Sequence, residues 1–277
     1  MTLLGFHLTP SRMTVLDVSA SSLDGLTASL SDGFYTTFST LSGGLRVLGL
    51  GAHLKRLYEP AQALGLRPSV DSQKLRQYIA ELTLQNLPSE SRLRLILTKD
   101  AGDMYIGIQP FVPVPESVYR EGVHVVTREM ARHDPRIKGT DFISQSAEQR
   151  KLVKDDIYEI LLVHNGQILE GMTSNFYAIK GKTLITAQKG ILLGVTRRAV
   201  LRIARGQGMS IEYRSPHVDE EFDEAFLTSS SRGIVPIVKI DRKLVGQGKP
   251  GAWTKTLSLE YQTYVRERSE EIIPNES

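Results

Sequence analysis

Lys138 stands in the run Asp134-Pro135-Arg136-Ile137-Lys138-Gly139-Thr140-Asp141, between a proline turn and a glycine, near the middle of a 277-residue chain. Among 34 lysines and arginines it would ordinarily read as one more solvated charge. Three features further along give it company that could do chemistry. Glu170 closes a strand-like segment in "LEGMTSNF", where the chain enters a loop of small and hydroxyl side chains. The run "LLGVTRR", Leu192 to Arg198, opens a helix with a glycine and a threonine, and "TSSSRG", Thr228 to Gly233, is a second hydroxyl-rich turn. Such openings hold phosphate, because free backbone N–H groups and short O–H donors converge on the anion. A phosphorylated cofactor with a basic ring nitrogen and an aldehyde would use all four features.

Competing motifs fail on inspection. Gly49-Leu50-Gly51 begins a dinucleotide fingerprint, but Leu54 stands where the third glycine belongs. Gly181-Lys182-Thr183 imitates the end of a P-loop, yet Phe176 occupies the first glycine position, so the run reads as a hairpin turn. The six histidines are scattered without a His-Glu-x-x-His arrangement, and no metal site is expected. No Gly-x-Ser-x-Gly elbow is present. The absence of cysteine excludes disulfides, thiol catalysis and cysteine-ligated metal, and suits a reducing compartment.

A hydrophobic content of 40% with 23% charged residues is the balance of a soluble globular protein. The net charge of +3 is mild, and acidic and basic residues alternate in "REMARHDPR" and "YVRERSEE", so no nucleic-acid surface is implied. No apolar run approaches the ~20 residues that span a bilayer. The opening "MTLLGFHLTPSR" lacks a secretory pattern, so no membrane partner is expected and the cytoplasm is the expected location.

The elements that must position these residues follow from periodicity. Residues 33–41 and 43–50 read as strands about a glycine turn. Residues 51–66 read as a helix in which Pro60 is expected to cause a kink or a break, and 70–87 as a second amphipathic helix with Leu75, Tyr78, Ile79 and Leu82 on one face. Strands follow at 91–100 and 104–111. Prolines in "VPVPESVYREG" mark a linker. Beyond it come a strand at 122–130, a helix at 144–156, and strands at 159–164, 167–171 and 175–187, with Asn165-Gly166 signalling a hairpin. A helix at 194–208, a strand–loop–strand at 224–241 and a closing helix at 253–271 complete the chain. Hairpins are too frequent for a doubly wound parallel sheet. The expected fold is therefore two α/β domains, α+β-like, with mixed sheets. Their expected boundaries are 1–112 for a smaller N-terminal domain, 113–120 for a linker, and 121–277 for a larger C-terminal domain carrying Lys138.

The ordered set "AHLKRL", "IKGTDF", "ILEGMTSNF", "LLGVTRR" and "LTSSSRGIVPI" resembles the class IV, fold-type IV family of pyridoxal-phosphate enzymes, from about Asp32 to Tyr264. That family contains branched-chain and D-amino-acid aminotransferases and aminodeoxychorismate lyases. The resemblance implies pyridoxal 5'-phosphate as cofactor, held between the two domains, and a homodimer. Lys138 matches the Schiff-base lysine and Arg56 the arginine that holds the cofactor phosphate. Glu170 matches the carboxylate facing the pyridine nitrogen, and Asn175 the asparagine of the same motif. Leu192 would lie against the cofactor ring; Val195 and Thr196 would present amides, and Thr196 and Ser230 hydroxyls, to the phosphate. Ser229 and Ser231 would line the substrate side, and Tyr35 would take the aromatic position near the substrate, with Thr37 beside it.

These roles agree with elementary chemistry. A free lysine, with a pKa of roughly 10.4, is a weak base at neutral pH, and attachment to the aldehyde changes what it can do. Arg56 offers a planar, permanently charged fork to phosphate. The substrate is less legible. Where the D-amino-acid branch carries an arginine, this chain has Lys99, which cannot form the same bidentate fork. Arg92 and Arg94 alternate onto one face of the same strand and offer a substitute, Arg94 in particular. Tyr35-Thr36-Thr37 stands where the branched-chain branch has Phe-Glu-Gly and is closer to the lyase branch. The expected function is transfer of an amino group between an amino acid and a 2-oxo acid. The alternatives are the lyase, which releases pyruvate and 4-aminobenzoate, and a catalytically silent pyridoxal-phosphate-binding protein.

Overall fold

The computed structural model describes residues 3–17 and 19–272. The chain divides into two compact units, one of Met1–Val112, Ile137–Gln145 and Arg268–Ser277, the other of Pro113–Arg136 and Ser146–Glu267.

In the first unit, β1 (Leu4–Leu8), β2 (Met13–Val15), β3 (Gly33–Ser39), β5 (Ser91–Thr98) and β6 (Met104–Pro110) form an antiparallel sheet in the order β2-β1-β6-β5-β3. A short helix α1 (Leu23–Ala28) follows β2, and two longer helices, α2 (Leu50–Ala63) and α3 (Ser72–Leu84), pack apolar stripes into the core. Helix α3 starts where Asp71 accepts a hydrogen bond from the Lys74 amide at 2.8 Å, and buries Leu75, Tyr78, Ile79 and Leu82 at the spacing of one helical face. Helix α2 runs through Pro60, because the proline falls in the last turn and forfeits a single ladder bond. The second strand expected at 43–50 shrinks to β4 (Arg46–Val47), since Ser42, Gly43 and Gly44 all take positive φ; β4 pairs with β16 (Glu270–Glu271).

The segment Ile137–Gln145, which the sequence places in a C-terminal domain, belongs to this first unit. Its backbone is the reason. The Tyr35 amide donates to the Lys138 carbonyl at 2.9 Å, and the Thr140 amide to the Gly33 carbonyl at 2.9 Å, so the segment extends the sheet beyond β3. Gly33 lets β3 itself lie close against β5, since a Cβ there would run into the Leu97 carbonyl.

The second unit is built on a mixed sheet in the order β12-β11-β10-β13-β14-β7-β8-β9. Its strands are β7 (Val123–Glu129), β8 (Ile157–His164), β9 (Gln167–Gly171), β10 (Asn175–Lys180), β11 (Thr183–Ile185), β12 (Ser210–Glu212), β13 (Glu224–Ser229) and β14 (Gly233–Ile240), with β15 (Lys243–Leu244) paired to β14. The pairs β7–β8, β7–β14 and β11–β12 are parallel; the rest are antiparallel, as the hairpin signals require. Asn165 and Gly166 both take positive φ at the β8–β9 turn. The strand-like run 175–187 folds at Gly181 into the β10–β11 hairpin, the turn that Gly181-Lys182-Thr183 leads one to expect.

Helix α4 (Glu116–Glu121) forms within the proline-rich segment read as a linker, and α7 (Val195–Gly206) and α8 (Ala252–Arg268) lie where periodicity puts them. The helix expected at 144–156 is replaced by two single turns, α5 (Asp141–Gln145) and α6 (Ala147–Arg150). No residue of α6 is buried, so no apolar stripe exists to sustain a longer helix.

Candidate active site

In the first unit, β3 presents alternate side chains to opposite faces. Phe34 and Phe38 enter the helix-covered core, while Tyr35 packs with Ile96 and Ile143 on the other side. The half-buried Lys138 places its Nζ 4.6 Å from the centre of the Tyr35 ring. The guanidinium of Arg94, on β5, stands 4.8 Å from the same ring. Arg94 is 7% exposed; its Nη1 donates to Asp24 Oδ1 at 2.6 Å and Thr27 Oγ1 at 3.0 Å, and its Nε to Thr37 Oγ1 at 3.0 Å. One ring thus meets two cations. Lys99 is exposed and lies over Phe34 at 5.1 Å, on the face that alternation assigns to Phe34 rather than Tyr35. The fold gathers Tyr35, Thr37, Arg94 and Lys138 and leaves Lys99 outside that group. Arg56 sits half-buried on α2, and that helix is tied to β3 by His53 Nδ1, 2.6 Å from Thr36 Oγ1.

In the second unit the centre is Glu170, 1% exposed at the end of β9. Its Oε1 accepts from Arg132 Nε at 2.7 Å; its Oε2 accepts from the Leu192 amide at 3.1 Å and Asn175 Nδ2 at 3.3 Å. A buried carboxylate of this kind stays tolerable only because a guanidinium and amides surround it. Asn175 holds the approach to α7: its Nδ2 also donates to the Leu192 carbonyl at 2.8 Å, and its Oδ1 accepts from the Gly194 amide at 3.2 Å. Gly194 is the N-cap of α7 and supplies no side-chain cap, leaving the first amides of the helix for an anion. A Cβ at 194 would run into Asn175 Oδ1.

Thr196, 2% exposed in the first turn of α7, has a hydroxyl with no hydrogen-bond partner among the described residues. Burial pushes the neighbouring Tyr261 phenol up to about 12, and the Thr196 hydroxyl offsets this in part, but the two groups do not meet in hydrogen-bond geometry. Ser229, Ser230 and Ser231, all half-buried, occupy the β13–β14 turn, which the Arg232 amide closes onto the Ser229 carbonyl at 3.3 Å.

Sequence reasoning missed three charged residues here. Arg132 lies in the alternating run "REMARHDPR", which looks like a solvated face; its burial against Glu170, with Nη2 donating to the Met172 carbonyl at 2.9 Å, is visible only in the fold. Glu159 and Arg232 form a second ion pair at 2.9 Å. The only signal in the sequence for either was an isolated charge within an apolar strand or a polar turn.

The donor set fits a phosphorylated pyridine. An uncapped helix N-terminus and an orphaned buried hydroxyl suit the phosphate, and a buried carboxylate paired with a guanidinium suits a protonated ring nitrogen.

Residues 33–240 match the family model for amino-transferase class IV. The chain is 28% identical over 252 residues to the D-alanine aminotransferase of Bacillus licheniformis, covering 84% of this chain and 88% of that protein. Among solved structures, a putative branched-chain amino acid aminotransferase from Thermotoga maritima superposes with a TM-score of 0.79 at 26% identity, over 95% of this chain and 96% of that one. A hypothetical aminotransferase from Mycobacterium tuberculosis, in its PLP-bound form, superposes with a TM-score of 0.76 at 20% identity, over 95% of this chain and 99% of that one. The chain belongs to the class IV aminotransferases. It has their fold-type IV architecture of mixed α/β units and is a pyridoxal-phosphate-dependent enzyme of transamination, acting on amino and 2-oxo acids.

Proposed function

We propose that this aminotransferase works through Lys138, with Arg56, Glu170, Asn175, Leu192, Val195, Thr196 and Ser230 holding the cofactor, and Tyr35, Thr37, Arg94, Ser229 and Ser231 facing the substrate. The observation that carries this reading is Glu170: a fully buried carboxylate, held by Arg132 and two amide donors, is the group a protonated pyridine nitrogen needs. When bound, pyridoxal phosphate supplies an aldehyde for the amino group and a ring that accepts electrons. The rest is the work of the chain. Lys138 Nζ would hold the aldehyde carbon in the resting enzyme and, once free of it, would carry a proton from the substrate α-carbon to that carbon. Tyr35, packed on Ile96 and Ile143, limits where that amine can stand, so the transferred proton travels a short, defined path. Asn175 fixes residues 192–194 and so aims the first amides of α7.

Arg94 is the better supported anchor for a substrate carboxylate, because it shares the Tyr35 ring with Lys138, whereas Lys99 lies over Phe34. Lys99 keeps at most an electrostatic influence from the strand end. The relatives named above are aminotransferases, which favours transamination over the lyase. A homodimer follows from the family resemblance, and a cytoplasmic location from the composition; sedimentation and cell fractionation test them.

The deciding experiment follows the visible absorbance of the purified protein loaded with pyridoxal phosphate while L- and D-amino acids are added singly. A donor-dependent loss of that band, restored by a 2-oxo acid and abolished in Lys138→Ala, is expected. A band that no amino acid alters, or that Lys138→Ala retains in full with its response, would overturn the assignment.

A further inference from the structure

The turn that carries Ser229, Ser230 and Ser231 is held from behind by charge. Arg232, the last residue of that turn, folds back so that its Nε donates to Ser229 Oγ at 3.0 Å. Its Nη2 reaches Glu159 Oε2 at 2.9 Å and Thr173 Oγ1 at 2.6 Å, and its guanidinium lies 5.6 Å from the centre of the Tyr158 ring. Glu159 is 2% exposed on β8, and its Oε2 also accepts from Thr173 Oγ1 at 2.7 Å and Ser174 Oγ at 3.4 Å. Tyr119 Oη donates to the Arg232 carbonyl at 2.8 Å. The result ties the serine turn to the loop at 172–174, the same loop that leads into Asn175.

An ion pair this well enclosed is a poor device for stability alone, since apolar side chains of similar size would serve as well. What it does have is direction. Ser229 Oγ accepts a hydrogen bond from a cation, so the hydroxyl proton is turned away from Arg232 and polarised as a donor. Ser229 and its two neighbours remain half-buried.

We propose that Arg232, neutralised by Glu159, is a positioning residue that fixes the Ser229–Ser231 turn and orients the Ser229 hydroxyl as a donor to the substrate carboxylate. The pair acts through Ser229 and touches neither substrate nor cofactor. This rests on the reading above that Ser229 and Ser231 line the substrate side.

The test uses the enzyme loaded with pyridoxal phosphate and 4-methylvalerate as a carboxylate probe that cannot react. Two quantities are read for wild type, Arg232→Lys, Ser229→Ala and the double variant: the dissociation constant of pyridoxal phosphate, and that of the probe from the shift in cofactor absorbance. Arg232→Lys keeps the charge beside Glu159 but loses the fork to Ser229 and Thr173. It is expected to weaken the probe roughly tenfold, the worth of about one hydrogen bond, with a smaller loss of cofactor affinity because Ser230 of the same turn faces the phosphate. Ser229→Ala should match that loss, and the double variant should lose no more than Ser229→Ala alone. Additive losses, an unaffected probe in Ser229→Ala, or equal losses of probe and cofactor in Arg232→Lys would each overturn the proposal. Should Arg232→Lys not fold, Arg232→Gln is read in its place, with the same expected and overturning outcomes. A wild-type protein that takes up no pyridoxal phosphate would instead count against the site reading itself.

Discussion

Glu170 and Arg132 define the residue scale, because each makes the other's burial tolerable. Glu170→Gln leaves a buried guanidinium beside a neutral amide, and apo-protein stability in urea should fall by roughly 3–5 kcal/mol. Adding Arg132→Met should restore most of it; a double variant as unstable as the single one would show that the pair is not the cause. Thr196 makes the opposite case. Its hydroxyl is buried without a hydrogen-bond partner among the described residues, so Thr196→Val should leave stability equal or slightly higher while the dissociation constant of pyridoxal phosphate rises several-fold. A drop in stability with cofactor affinity intact would assign Thr196 to packing. Lys138, Glu170 and Thr196 were legible as candidates through the ordered motifs in which they sit. Arg132 was not, for a charge read in sequence carries no sign of whether the fold buries it. Which of Arg94 and Lys99 stands beside Tyr35 was likewise open until the register of β3 on β5 put Arg94 there and Lys99 over Phe34.

At the scale of elements, α7 matters most, because its first turn presents amides that no side chain caps. Gly194 has φ −60° and ψ 148°, which alanine adopts freely, so the obstacle to Gly194→Ala is the contact its Cβ would make with Asn175 Oδ1. We expect ~1–3 kcal/mol of destabilisation by thermal unfolding, and weaker retention of pyridoxal phosphate on dialysis, because Asn175 also holds Leu192. Unchanged retention would mean that Asn175 does not aim the helix. Strongly periodic elements such as α3, β5 and α7 were readable because one face is apolar at the right spacing. The short elements β1, β2 and α1 escaped notice, and 144–156 was over-read as a helix. In these the local pattern is weak and the outcome is decided by pairing with distant strands or by the absence of anything to bury against.

The molecule as a whole should lose stability in alkali. Burial raises the pKa of Tyr177 and Tyr58 and takes Tyr261 up to about 12. Unfolded phenols titrate near 10. Above that value the unfolded chain releases protons that the folded chain keeps, so stability is full below about pH 10 and falls as pH rises towards 12. Urea midpoints measured from pH 8 to 11.5 should show the fall. Tyr261→Phe should flatten part of it, by on the order of 2 kcal/mol at the upper end. A midpoint that holds steady to pH 11.5 would contradict this account of the buried phenols.

By itself the sequence determined the family and the cofactor and singled out the candidate residues that stand in recognisable runs, since these depend on residue type and order along the chain. It also determined the longer helices and strands, whose apolar periodicity is local. The tertiary structure decided which charges are buried and with whom: Arg132 with Glu170 across 38 positions, Arg94 with Asp24 across 70, Arg232 with Glu159 across 73. The physical reason is that a charge leaves water only when a partner and hydrogen bonds await it, and these partners come from strands and loops far apart in sequence.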